Sequence, residues 1–393
     1  MKKVLLFSFF LVLGLVFSQC LPHWLEDSFG NVKNGARLLM FICLAFIMIN
    51  VGREFELDKD CKKSYTFDYF IAMATAAIPW LLVAIYYTCL LPSDLLWSWE
   101  AGKENLLLSR FAAPTSAGIL FTMLSAAGLR KEWIYKKTQV LAVFDDLDTI
   151  LLMIPLQILM IGFKWHLLAM ILLVGILLVV GWMKQGAYSM PQSWKAILLY
   201  AVCIVAATEG IYLLSQFWLG KGDGIHIEIL LPAFVLGMVM RTVHQQGRRD
   251  EKITGVVSFL FMFLVGLCTP QFIGIDHAAS YAEACGVIAS LPMPSYGVLA
   301  AHVLAVTLLS NIGKMFPLFF YRDRRIEERL ALSIGMFTRG EVGAGIIVIA
   351  LSYQLGGPFL IISVFSLVLN LLLTGVFIYW VKLLTRRVYG VRE

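Results

Sequence analysis

The sequence predicts an all-α polytopic membrane protein, and three observations lead to that fold class. Apolar residues make up 60% of the 393 residues, and only 15% are Asp, Glu, Lys or Arg, against roughly 25% charged residues in soluble domains. The apolar residues form long runs close to the ~20 residues that a membrane-spanning helix needs. Two of these runs are interrupted by proline or glycine near charged residues. An ordinary soluble enzyme is therefore excluded, and neither a disulfide framework, a zinc site nor a nucleic-acid-binding segment is indicated.

Twelve apolar runs follow one another, and each predicts one membrane helix. They lie at about 4–20, 36–52, 69–91, 106–129, 138–162, 165–183, 193–219, 227–243, 253–274, 296–320, 330–353 and 357–381. The connections between them are short, so the whole chain is expected to form one integral membrane unit. The first run also resembles a signal peptide, but we expect it to be retained as a helix because small residues are poorly placed at its cleavage position, near Ser18.

Basic residues predict the orientation of the chain in the membrane. Most of the 32 Lys and Arg residues fall in alternate connections that include both terminal segments, whereas residues 270–295 contain none. By the positive-inside rule, both termini are expected to be cytoplasmic.

We expect seven ionisable residues to lie within the membrane, where a charge in lipid costs at least ~2.5 to 3.5 kcal/mol, rather than in the connections. They are Asp145, Asp146 and Asp148 in the fifth run, Glu209 in the seventh, Lys314 in the tenth, and Arg339 and Glu341 in the eleventh. At about 1.5 Å per residue, Asp145 and Lys314 both lie roughly 10 Å from the cytoplasmic surface, so the two can form an ion pair. Arg339 and Glu341 fall roughly 14 to 17 Å deep, near the midplane. For any one of the seven, a purely structural ion pair is the alternative.

The interruptions lie at residues 112–118 of the fourth run and 338–345 of the eleventh. Each interrupted run is the middle member of a three-helix set, and the two sets start with opposite orientation. This arrangement is typical of inverted repeats with two crossing discontinuous helices, as in secondary transporters. Glu341 is expected to offset the positive ends of the half-helices and Arg339 their negative ends, a structural role favoured over direct ion contact.

The adjacent Asp145 and Asp146 point about 100° apart on a helix and can border one cavity. Two close carboxylates in a partly dry site do not readily ionise together, so they can hold either a hard cation or protons. Competition between the two, combined with alternating access, produces antiport. Lys314 can join the exchange, because a cation on the carboxylates removes its partner.

These residues carry a family resemblance. Residues 143–146, 312–314 and 332–343 resemble the signature segments of bacterial sodium/proton antiporters of the cation/proton antiporter superfamily, in its aspartate-pair, electrogenic-type branch. Weaker matches lie at residues 50–55, 115–116 and 231–237, and the similarity covers most of the chain in order.

The resemblance implies the sodium/proton antiporter fold, with a transport core mainly of residues 69–162 and 296–381 and a dimerisation scaffold mainly of residues 1–68 and 163–295. It implies that Asp146 is the principal ligand of the transported Na⁺, Asp145 the second aspartate and Lys314 its partner, with Thr115 near the ion at the crossing. It also implies a transporter rather than an enzyme, without a cofactor, that works as a homodimer in the bacterial inner membrane and serves pH homeostasis. Asp148 and Glu209 have no counterpart in the family pattern.

Two alternative functions remain open. Potassium/proton exchange on the same fold is the first, since sequence does not define ligand distances. The second is an intramembrane Mg²⁺-dependent prenyltransferase, because Asp145, Asp146 and Asp148 resemble half of its aspartate-rich metal site. That enzyme needs a second acidic cluster, which the sequence does not offer.

Overall fold

The computed structural model describes residues 2–25, 29–53, 62–116, 120, 124, 129, 132–161, 176, 179, 183–184, 187–219, 229–240, 248–268, 286–353 and 355–389. Within the helices, some side chains lie outside this description, among them those of Asp146 and Glu341. The described residues are almost entirely helical, and their one β-type pairing is an isolated bridge between Tyr188 and Met240.

The helices in the first half of the described chain are α1 (Lys2–Leu25), α2 (Phe29–Arg53), α3 (Lys62–Cys89), α4 (Trp99–Ser109), α5 (Trp133–Ile161) and α6 (Trp194–Leu219). Those in the second half are α7 (Leu230–Val239), α8 (Arg248–Leu267), α9 (Tyr296–Gly313), α10 (Ile326–Gly335), α11 (Glu341–Ser352) and α12 (Gly357–Tyr389). Short 3₁₀ turns occupy Arg110–Ala112, Ile288–Ser290 and Phe316–Phe319.

Five of these helices contain segments that are long and apolar enough to cross a membrane. The segments are Asn34–Arg53, Thr66–Cys89, Trp194–Leu214, Tyr296–Phe319 and Gly357–Arg386. Shorter apolar segments lie at Phe9–Leu21, Lys252–Leu267 and Val342–Leu351. The predicted polytopic helical membrane fold is confirmed, while most of the sixth predicted run, 165–183, lies outside the described residues.

The first helix packs tightly into the bundle. It runs against α8, where Gly14 faces the carbonyl of Phe263 and Gly266 faces the carbonyl of Leu11. A Cβ at either glycine would overlap the backbone of the other helix, so this contact depends on the missing side chains. The first apolar run thus has a specific place against the rest of the chain.

The helices that carry the buried charges form a connected group. The long α3 packs against α4, α5 and α9, and α12 packs against α9 and α10. Polar side chains join α9 to α12 inside this group: Thr307 contacts Ser366 at 2.8 Å and Asn311 donates to Asn370 at 3.0 Å. These bonds fix the position of α9 relative to α12, just before Lys314, which follows α9 directly.

A second polar cluster ties the ends of α3 and α5 to the turn after α9. Lys137 Nζ lies 2.7 Å from Asp68 Oδ2, and the Tyr321 hydroxyl donates to Asp68 Oδ1 at 2.7 Å. Burial, followed by the negative charge of Asp68, raises the pKa of Tyr321 well above its usual value. Tyr321 also adopts a positive φ of 53°, which is uncommon for a residue with a side chain and marks a sharp reversal of the chain here.

Candidate ion-exchange site

Both predicted helix interruptions are present, and they cross each other. The first follows α4: a 3₁₀ turn ends at Ala112, and residues 113–116 are not helical, while the last two residues of the predicted interruption, 117–118, lie outside the described residues. The second separates α10, which ends at Gly335, from α11, which begins at Glu341. The Ser116 amide donates to the Thr338 carbonyl at 2.9 Å, and the Thr115 hydroxyl donates to the Met336 carbonyl at 3.1 Å. Unwound backbone from one break therefore satisfies backbone from the other, as a membrane interior requires.

The second interruption is shorter than predicted. The sequence predicts a break that extends to residue 345, but Gly343 and residue 345 lie in regular helix inside α11. Gly343 serves close packing instead, since a Cβ there would come within 3.3 Å of the Phe111 carbonyl and 3.8 Å of Pro114. Helical glycines at this point let α11 approach the first break, a role that local sequence does not distinguish from helix breaking.

Arg339 stabilises the crossing from the side of the first break. Its guanidinium is 1% exposed and donates through Nη1 to the carbonyls of Pro114 at 2.7 Å and Ala113 at 3.3 Å. A further bond runs from Nη2 to the Ser310 carbonyl at 3.4 Å. The Ala113 and Pro114 carbonyls follow the C-terminal end of α4, where a helix is partly negative. The expected placement of Arg339 at a negative helix end is therefore present.

Glu341 is the first residue of α11, at the positive end of that half-helix. Its side chain lies outside the described residues, so its predicted offset of the helix dipole stays a prediction. Its backbone lies at the N-terminal end of α11, where a negative side chain would offset the helix dipole.

The predicted contact between Lys314 and Asp145 is present and fully buried. Lys314 Nζ lies 2.8 Å from Oδ2 and 3.0 Å from Oδ1 of Asp145, and both residues are 0% exposed. The lysine follows directly after α9, which ends at Gly313 rather than continuing helically to residue 320 as predicted. The helix ends where a Cβ at Gly313 would come within 2.6 Å of Pro79 in α3. Close packing against that proline places the lysine opposite α5.

Asp146 is the next residue of α5, inside a continuous helix from Trp133 to Ile161. Its side chain lies outside the described residues, and its predicted role as the principal ion ligand remains a prediction. The hydroxyl of Thr115 is engaged with the Met336 carbonyl, which places that residue at the crossing, as expected.

Sequence reasoning missed a second buried ion pair beside the first. Arg110 is not among the seven charges expected within the membrane, but it is 0% exposed and its Nη2 lies 3.6 Å from Asp148 Oδ2. The same nitrogen donates to the Asp148 carbonyl at 3.2 Å, and the guanidinium lies over the Trp80 ring, 4.5 Å from its centroid. Arg110 is therefore the ion-pair partner of Asp148, a residue without a counterpart in the family pattern. The available signal was that Arg110 lies inside the fourth apolar run.

Glu209, the remaining buried candidate, is separate from this group. It is partly exposed on α6, a helix that packs mainly against α2. The other charges lie on α5, directly after α9, and at the two breaks. The structure therefore brings together Asp145, Lys314, Arg339, Asp148 and Arg110, but not Glu209.

The comparisons with known proteins agree with this architecture. No family model matches the sequence, and no curated protein matches it significantly. In structure, the chain is similar to the sodium proton antiporter MjNhaP1 from Methanocaldococcus jannaschii, with a TM-score of 0.58 and 14% sequence identity. The match covers 98% of this chain and 92% of that chain. At this identity the similarity establishes a shared fold, which is the antiporter fold that the sequence predicted.

Proposed function

We propose that this protein is a secondary antiporter that exchanges a monovalent cation, Na⁺, for protons across the membrane. The observation that carries the proposal is the fully buried contact between Lys314 and Asp145, next to two crossing helix interruptions. An ion pair with no exposure to solvent is a poor source of stability compared with apolar packing. Its presence in a transporter fold is more readily explained by ion exchange.

The chemistry follows from the partners of Asp145. While Lys314 donates to both carboxylate oxygens, those oxygens are not free to coordinate a cation. A cation that enters between Asp145 and Asp146 competes with the lysine ammonium for the same oxygens, and a proton does so too. Binding of one species therefore favours release of the other, which couples their movements.

Alternating access completes the proposed cycle. Helices α3, α4, α5, α9, α10, α11 and α12 would form the moving transport core, and the remaining helices a scaffold that pairs with a second copy in the bilayer. Both termini would face the cytoplasm, as the distribution of basic residues predicts. The proposed substrates are a cation and protons, without a bound cofactor or enzymatic chemistry.

The test uses purified protein in proteoliposomes that contain a pH-sensitive dye and carry an imposed pH gradient. Na⁺, Li⁺ and K⁺ are added in turn, with an ionophore to clamp the voltage. We expect Na⁺ to change the internal pH and Asp146→Asn to abolish the change, while Asp323→Asn, an exposed loop control, leaves it intact. No response of the wild-type protein to any cation would refute antiport, and a response to K⁺ alone would refute the sodium assignment.

A further inference from the structure

The pair formed by Arg110 and Asp148 differs in geometry from the other buried pairs. Lys314 and Lys137 each contact both carboxylate oxygens of their aspartates, at 2.7 to 3.0 Å. Arg110 instead lies 3.6 Å from one oxygen of Asp148, and its Nε and Nη1 have no acceptor among the described residues. A guanidinium that served only to join two helices would be expected to use its paired donors on one carboxylate. Its partial pairing leaves the charge of Arg110 available to the surrounding site.

That charge acts on the exchange site as well as on Asp148. Electrostatic interactions connect Arg110 to Asp145, and Asp148 to Asp145, Lys314 and Tyr69 of α3. Asp148 lies three residues after Asp145, so both project from similar sides of α5. The two pairs are therefore one electrostatic unit, although they come from different helices.

The ionisable residues that the backbone places in the middle of α5, directly after α9 and at the two helix breaks nearly cancel in charge. The acidic ones are Asp145, Asp146, Asp148 and Glu341, and the basic ones are Arg110, Lys314 and Arg339. With all of them ionised, one negative charge is left over. A monovalent cation neutralises that charge, whereas a divalent cation leaves a buried positive charge, which is costly in a medium of low polarity.

We propose that Arg110 keeps the site selective for monovalent cations by offsetting the buried charge of Asp148, so that the site is neutral with a monovalent ion and unfavourable for a divalent one. This inference rests on the proposed antiport function and extends it to ion selectivity. Arg110 need not touch the ion, because it acts through the potential at the site. Asp148 and Trp80 hold it in position.

The proposal has a signature that a general structural defect lacks. Removal of one positive charge at about 10 Å changes the affinity for a monovalent cation by about tenfold, at an effective dielectric constant of about 20. The same potential acts on twice the charge in a divalent cation, so the change in its affinity is the square of that factor, about a hundredfold. The ratio of Ca²⁺ to Na⁺ affinity should therefore rise about tenfold, whatever happens to the maximal rate.

The experiment measures Na⁺-driven exchange in proteoliposomes at fixed pH, with Ca²⁺ as the competing probe because its size is close to that of Na⁺. For each variant, the half-saturating Na⁺ concentration and the half-inhibitory Ca²⁺ concentration are determined. Arg110→Gln should raise the Ca²⁺/Na⁺ affinity ratio by about tenfold and Asp148→Asn should lower it by about the same factor. Arg110→Lys, which keeps the charge, and Arg110→Gln/Asp148→Asn, which removes both charges, should stay near the wild-type ratio.

Opposite shifts from the two partners of one ion pair cannot arise from simple loss of packing. If Arg110→Gln does not fold, as judged by gel filtration and thermal melting, Asp148→Asn and the double variant still decide the question. An unchanged ratio in Asp148→Asn, or a double variant that differs from wild type as much as either single variant, would overturn the inference. A wild-type protein without any cation-evoked exchange would instead overturn the proposed function, so the two failures are distinguishable.

Discussion

Replacement of Lys314 by methionine tests whether the buried ion pair was correctly identified. The substitution keeps most of the side-chain volume but leaves the Asp145 carboxylate, which is 0% exposed, without its two hydrogen bonds. Loss of one partner of a fully buried pair typically destabilises a protein by about 3 to 5 kcal/mol. At about 1.2 °C per kcal/mol for a chain of this length, the melting temperature of the detergent-solubilised protein should fall by about 4 to 6 °C.

The double variant Lys314→Met/Asp145→Asn removes both charges and should recover most of that loss, since replacement of a buried pair by neutral groups is often close to neutral. Lys382→Met, at an exposed position of α12, is the matched control and should change stability by less than about 0.5 kcal/mol. A single variant that melts with the wild type, or a double variant no more stable than the single one, would refute the reasoning.

Three further predictions address the packing around the site. Gly313→Ala should destabilise the protein by about 1 to 3 kcal/mol, because its Cβ would overlap the proline of α3. Gly297→Ala in the same helix meets open space and should leave the melting temperature unchanged. Arg339→Lys keeps the charge but loses the two donor nitrogens that join the first break to α9, so exchange in proteoliposomes should fall by about tenfold or more. Full activity would argue against its role at the crossing. Tyr321→Phe removes one hydrogen bond to Asp68 and should lower stability by about 1 kcal/mol without changing the half-saturating Na⁺ concentration; a changed value would link that cluster to the ion site.

Much of the fold was predictable because the membrane restricts what a sequence can encode. The apolar runs, the two interruptions and the contact between Lys314 and Asp145 all follow from the need to satisfy charges and backbone groups within the bilayer. Depth along a helix was sufficient to match Lys314 with Asp145, since each residue advances a helix by a fixed rise.

The parts that could not be predicted depend on contacts between distant segments. Arg110 and Asp148 are 38 residues apart, and their contact requires α4 to end in a 3₁₀ turn that aims the guanidinium at α5. Tyr321 and Asp68 are 253 residues apart, and nothing in either local sequence marks them as partners. Hydrophobic periodicity identifies which residues are buried, but the rotation of each helix about its own axis is set by packing.

Arg339 and Lys314 donate to different kinds of acceptor, which indicates that the two side chains have different functions in the site. Among the described residues, the acceptors of Arg339 are backbone carbonyls, which neither gain protons nor bind and release charge during a transport cycle. Its contacts can therefore persist in every state, as a support for the two breaks requires. Lys314 is bonded to a carboxylate, whose charge disappears when it takes up a proton and is shared when it binds a cation. The Lys314 contact can thus be broken by the transported species while the Arg339 contact stays intact, and for that reason ion exchange should leave the crossing itself unchanged.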